Sequence, residues 1–312
     1  MVTLHKLLVV SPASSIQPSV IAQSIKVAKN HQSHVTFFSV AEEIPKDQLA
    51  LITLLPPQEI MDNLLKEQHA ILKNNVEQFH HNYLTVDAQN AIGVPFIEVT
   101  KKVQQENYDL VILAAKTSEH PRKRFFGSTT IHLMRKCPCP VLTIGTKEDK
   151  PFKRIVAAID VYAPSEEGLA LNHKILTWAA DLAMSENAEL HVIHAWQLPS
   201  KDYLKGWGHN SKVDRLEMIM KEQQDRQKRF DNIIESNFAA NNLPIAKLIE
   251  GIAQEEIPKY IEDHDIDLVI MGTVCRTGIA GLFIGNTAES ILSEVSCSVL
   301  TLKPQGFMTP VK

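Results

Sequence analysis

The sequence predicts an α/β protein made of two tandem doubly wound domains, each on a five-stranded parallel sheet. Two observations predict it: the chain repeats itself, and within each repeat short apolar runs alternate with longer amphipathic segments. The string "YDLVILAA" at Tyr108–Ala115 returns as "IDLVIMGT" at Ile266–Thr273. "CPVLTIG" at Cys139–Gly145 returns as "CSVLTLK" at Cys297–Lys303, and "FFGSTTIHLM" from Phe125 as "FIGNTAESIL" from Phe283. All three pairs lie 158 positions apart. "KLLVV" at Lys6–Val10 matches "RIVAA" at Arg154–Ala158 at 148, and "VTFFSV" at Val35–Val40 matches "LHVIHA" at Leu190–Ala195 at 155. A repeat this long is one structural unit used twice.

In the second copy the apolar runs are Arg154–Ile159, Leu190–Trp196, Ala246–Glu250, Leu268–Met271 and Val299–Leu302. Short, continuous and rich in Val, Ile and Leu, they read as strands buried on both faces of a parallel sheet. Between them, Leu171–Met184 and Asp214–Phe238 carry apolar residues at spacings of three and four, the period of a one-sided helix. Strand–helix alternation implies right-handed crossovers and a doubly wound sheet. The polar stretch "TKEDKPFK", Thr146–Lys153, separates domains at 1–147 and 148–312.

Composition excludes other classes. Of 312 residues 44% are hydrophobic and 22% charged, which argues for a globular chain rather than a disordered one. No run approaches the roughly 18 apolar residues of a membrane span. The opening "MVTLHKLLVV" reads as a first strand rather than a cleavable leader. Four cysteines point to a reducing, cytoplasmic setting. Net charge is -4: residues 1–147 carry 15 basic against 12 acidic side chains, +3, and residues 148–312 carry 17 against 24, -7. That balance gives no nucleic-acid or membrane signal.

Ligands of open parallel sheets bind beyond the carboxyl ends of the strands, where strand order reverses. The loop there in the second copy reads "MGTVCRTGIAGLFIGNTAESIL", Met271–Leu292. It leaves a strand at Gly272, passes through glycines and enters a helix near Gly285-Asn286-Thr287. Two readings stand. The loop is an ordinary turn with Asn286 as helix cap, or an anion cradle in which glycines admit close backbone approach and the helix start favours phosphate. No Gly-Lys-Ser/Thr follows, so it is not a P-loop.

These residues resemble the universal stress proteins, in particular the tandem E type of gamma-proteobacteria. Nucleotide-binding members carry G-x2-G-x9-G-[S/T] after the fourth strand; here that frame falls on Gly272, Cys275, Gly285 and Asn286. Cys275 departs from the second glycine, and Asn286 replaces Ser/Thr. "GTVCRTG…GLFIGNTAE" and the tail "KPQGFMTPV", Lys303–Val311, strengthen the resemblance. It implies an adenine nucleotide alpha hydrolase-like fold with strand order 3-2-1-4-5, and ATP in the second domain, with Mg as an accompanying ion. ATP phosphates would lie against Gly272, Gly285, Asn286 and Thr287, and adenine near Asp160 and Ala195. It also implies that the two copies pair through their last strands; a homodimer stays open.

The first copy departs further. Pro12 stands for Asp160, Ala114 and Thr117 for the first two loop positions, and only Gly127-Ser128 persists. The loop carries Lys116, Arg122, Lys123 and Arg124, either a solvated run or a site for some other anion.

No catalytic set is evident: there is no G-x-S-x-G elbow and no HExxH. Cys137 and Cys139 form C-x-C without designated further metal ligands and read as structural. Cys275 beside Arg276 could ionise more easily than an ordinary thiol. Glu289 reads as the partner of Asn286 in a capping box, and Asp214–Phe238 as a solvated, salt-bridged helix. Three function classes follow: stress-linked nucleotide binding, a slow ATPase resting on positioning alone, and an interaction protein without nucleotide.

Overall fold

All five strands expected in the second copy form within one residue of the expected spans. The structure, a computed structural model, describes residues 2–12, 16–42, 57–80, 84–115, 126–145, 150–163, 165–197, 212–273 and 285–312. In the first half β1 (Lys6–Ser11), α1 (Pro18–His31), β2 (His34–Ala41), α2 (Pro57–His80) and β3 (Val86–Ile92) are followed by α3 (Pro95–Glu106), β4 (Leu110–Ala114), α4 (Ser128–Lys136) and β5 (Val141–Ile144). The second half repeats the order: β6 (Arg154–Ala158), α5 (Glu166–Glu186), β7 (Glu189–Trp196), α6 (Lys212–Asn237), β8 (Ile245–Glu250), α7 (Ala253–Asp263), β9 (Leu268–Gly272), α8 (Asn286–Glu294) and β10 (Ser298–Leu302).

The two expected sheets are one. Ten strands run in the order β3-β2-β1-β4-β5-β10-β9-β6-β7-β8, so each half has the order 3-2-1-4-5. Neighbours within a half are parallel, and β5 and β10 meet antiparallel with Leu142 opposite Leu300. Gly145 N–H donates to Ser298 Oγ at 3.0 Å across this seam.

Alternation along the strands divides the core between the faces. Leu7, Val9, Ile155 and Ala157 face α1, α2, α5 and α6; Leu8 and Val156 face α3, α4, α7 and α8. Phe37 and Phe79, both fully buried, meet edge to face at 4.9 Å, each side chain contributing about 2–3 kcal/mol by burial.

Repeated sequence does repeated work at the strand starts. Asp109 Oδ2 accepts from the backbone N–H groups of His5 (2.7 Å) and Lys6 (2.9 Å). Asp267 Oδ2 accepts from Lys153 (2.7 Å) and Arg154 (2.9 Å) in the same way. Each carboxylate thereby fastens the first strand of its half to the fourth. Gly93 and Gly251 have φ of 146° and 147°, and a Cβ at either would come within 3 Å of a glutamate Cγ on the next helix, Glu98 or Glu256.

Candidate nucleotide site at the carboxyl rim of the second half

The carboxyl ends of β7, β6 and β9 lie side by side, and they bring Ala195, Asp160 and Gly272 to one rim. Ala158 is in register with both Ile193 and Met271, so Gly272 stands level with Ile159, one residue short of Asp160. Asp160 is half-buried, and its backbone is held on both sides by Asn172 of α5. Asp160 N–H donates to Asn172 Oδ1 at 3.1 Å, and Asn172 Nδ2 donates to Asp160 O at 2.6 Å. The Asp160 carboxylate accepts from Tyr162 N–H at 3.2 Å, the side-chain-to-backbone contact typical of Asp in turns. His194 is buried at the exit of β7, with Nδ1 3.1 Å from Ile159 O.

Gly272 leaves room for α5: a Cβ there would lie 2.7 Å from Leu171 Cδ2, so that side chain would have to shift. Beyond it, Thr273 is fully buried, and its carbonyl accepts from Gly285 N–H at 3.4 Å. The two described ends of the glycine-bearing loop are therefore tied together; Cys275, Gly278 and Gly281 lie outside the described residues. The helix cap is Gly285 and not Asn286, which is the first residue of α8, and the cap residue offers no side-chain hydrogen bond to the helix start. An α-helix leaves its first N–H groups without intrahelical partners, and these favour an anion. Thr287 is exposed and its Oγ1 accepts from Gln254 Nε2 at 3.3 Å. The expected capping box does not form, because Glu289 instead pairs with Arg135 of α4, from the other half.

Lys303 carries a role the sequence reading missed. It is buried at the end of β10, and its Nζ donates to Met134 O at 2.5 Å and to Thr273 Oγ1. Thr273 Oγ1 in turn donates to Met134 O at 3.1 Å. The root of the loop is thus fixed to the last turn of α4, 139 residues earlier. Burial pushes the Lys303 ammonium down to about 7.

On the opposite side, the amphipathic α6 covers the rim. It shows the expected surface pairs, Arg226–Glu222 at 2.5 Å and Arg229–Asp225 at 2.8 Å. It also reaches inward. Tyr162 Oη donates to Asp225 at 2.6 Å, and the Arg226 guanidinium lies 4.2 Å over Tyr162 and 5.0 Å over Trp196. Burial, then the Asp225 bond, raises the Tyr162 phenol above its ordinary value, while the Tyr162 hydrogen bond lowers Asp225. Trp207 and Tyr203 lie outside the described residues, as do Lys116, Thr117, Arg122, Lys123 and Arg124 of the first half. Cys137 and Cys139 are buried with their sulfurs 3.5 Å apart, and burial pushes the Cys139 thiol well up. Cys139 and Cys297 are both buried at equivalent strand entries. Among the described residues no group of three or more His, Cys, Asp or Glu could hold a metal, and no helix is long and apolar enough to cross a membrane.

Fold and rim together define a doubly wound α/β chain, used twice, with a glycine-bearing strand-to-helix connection in the second half. The chain belongs to the universal stress protein family, whose sequence pattern matches residues 3–145 and again 151–303. Among curated relatives, Universal stress protein E of Photorhabdus laumondii is 23% identical over 98% of this chain and 96% of its own length. The Universal stress protein E homolog of Haemophilus influenzae is 29% identical over 66% of this chain and 65% of its own length, slightly under two thirds. Among solved structures, a Pseudomonas aeruginosa UCBPP-PA14 protein carrying the same family name superposes with TM-score 0.72 at 24% identity, covering 97% of this chain and 95% of that one. A universal stress protein of Archaeoglobus fulgidus gives 0.64 at 15%, covering 96% and 98%.

Proposed function

We propose that the chain is a cytoplasmic stress protein of two universal stress domains, 1–147 and 148–312, that binds ATP through the second. The observation that carries this reading is the rim itself: the loop ends joined at Thr273 and Gly285, and an α8 start whose cap is a glycine. Phosphates would meet the backbone of Gly272, Gly285, Asn286 and Thr287, with Cys275 in the loop between. Adenine would sit near Asp160 and the Ala195 backbone, and Mg would accompany the phosphates. The first domain, with Pro12 and Ala114 at the equivalent positions, acts as a partner without ATP. The Asp160 carboxylate already serves Tyr162 N–H, and Cys275 stands where nucleotide-binding members have glycine. Both favour a second reading, an interaction protein that has lost its nucleotide.

Acid release of ligand from purified protein, read by absorbance, separates the two. About one adenine nucleotide per chain, or saturable ATP binding weakened roughly tenfold or more by Asp160→Ala, supports the first reading. Absence of nucleotide together with no saturable ATP binding at millimolar concentration overturns the first and supports the second.

A further inference from the structure

A cavity of about 240 Å³ lies at the seam of the two halves, and it is lined by none of the rim residues above. Its floor is Leu142 of β5 and Leu300 of β10, the residues paired across the antiparallel junction. Val27 of α1 and Trp178 of α5 form walls, and Leu4 and Leu110 complete an apolar lining. Four polar residues, Asn30, His31, Asp181 and Ser185, also line it, and Asp181 is the only carboxylate among them. Burial lowers the His31 imidazole below its ordinary value, with Asp181 opposing.

The repeat shows how the two sides of the seam differ. Positions 4, 26 and 31 of the first half correspond to 152, 181 and 186 of the second, at the spacings 148 and 155. On the closed side stand Phe152, Lys26 and Glu186. Glu186 is buried, pairs with Lys26 at 2.5 Å, and accepts from Gln23 Nε2 at 2.9 Å and from Phe152 N–H at 3.3 Å. On the open side the same three places hold Leu4, Asp181 and His31. Leucine fills less space than phenylalanine, and aspartate reaches less far than lysine. Trp178 in place of Gln23 adds apolar wall. The long ion pair that plugs one side thus has no counterpart of equal reach on the other; Asp181 instead accepts from Val2 N–H.

We propose that this cavity binds a small apolar molecule of about nine or ten heavy atoms carrying one hydrogen-bond-donating group, its body over Leu142 and Leu300 and its donor toward Asp181. The size follows from the volume, since an apolar cavity of about 150 Å³ stays dry and takes up benzene. The donor follows from the Asp181 carboxylate, the one ionised acceptor in a lining that is mostly apolar. Such a ligand would touch both halves at once and strengthen their junction without involving ATP.

The test uses the full chain and two probes of equal shape. Indole has an N–H, and indene lacks it. Indole is expected to raise the melting temperature by about 2 °C or more at tenfold its dissociation constant, and indene by less. Leu4→Phe, which copies the Phe152 solution of the closed side, should abolish the indole shift. Leu182→Phe, placed in the opposite wall, serves the same purpose should Leu4→Phe not fold. Absence of any shift in the unmodified chain at millimolar probe, or an equal shift in the filled variant, overturns the site. Equal shifts from indole and indene overturn the assignment of the donor to Asp181.

Discussion

The two halves are built alike at the starts of their strands and differently at the ends. At the starts, Asp109 and Asp267 make the same pair of backbone contacts, within 0.1 Å of each other. At the ends, Lys303 of the second half stands where the first has Gly145, Gly272 where it has Ala114, and Asp160 where it has Pro12. The closures that hold a half together are thus the same in both, each giving two adjacent strand-start N–H groups one ionised acceptor. At the opposite rim each half follows its own chemistry.

The largest effect expected from this contrast is at Lys303. Its folded value of about 7 lies below the 10.5 of an ordinary lysine, so the unfolded chain binds more protons across that window. Stability should rise as pH increases from about 7 toward 10.5, by at most about 1.4 kcal/mol per pH unit, and Lys303→Met should remove that rise. Denaturant unfolding of both proteins at several pH values measures the difference; parallel profiles would break the contrast.

Asp109→Ala and Asp267→Ala come next. Each removes an ionised acceptor from two backbone donors and should cost about 2–3 kcal/mol. Losses differing by more than about 1 kcal/mol would show that the strand starts are less alike than their geometry. Smallest is Gly272→Ala, which installs the first half's residue. The added Cβ meets Leu171, and the cost should be about 1 kcal/mol, recovered in part by Leu171→Ala. A loss that Leu171→Ala leaves untouched would show that the cost does not come from the Leu171 contact.

Much of this was legible beforehand because it is local. Strand spans followed from continuous apolar runs, and the tandem plan from matched strings such as "YDLVILAA" and "IDLVIMGT", whose shared aspartate proves to be the clamp. The helix entry at Gly285 was legible, but its cap was not. Asn286 has the chemistry of a cap residue, yet the helix begins one position earlier, and Glu289 is taken by Arg135. Lys303, Asn172 and Arg226 escaped notice for one reason. Their partners Met134, Asp160, Tyr162 and Trp196 lie between 12 and 169 residues away and meet them only once the sheet has formed.

The antiparallel meeting of β5 and β10 also sets the geography of any signalling. Because one half runs against the other, the strand tips of the first half point away from those of the second. A molecule captured on one tip leaves the other unobstructed, so two visitors of unrelated size could be accommodated simultaneously on opposite poles of a single continuous plate.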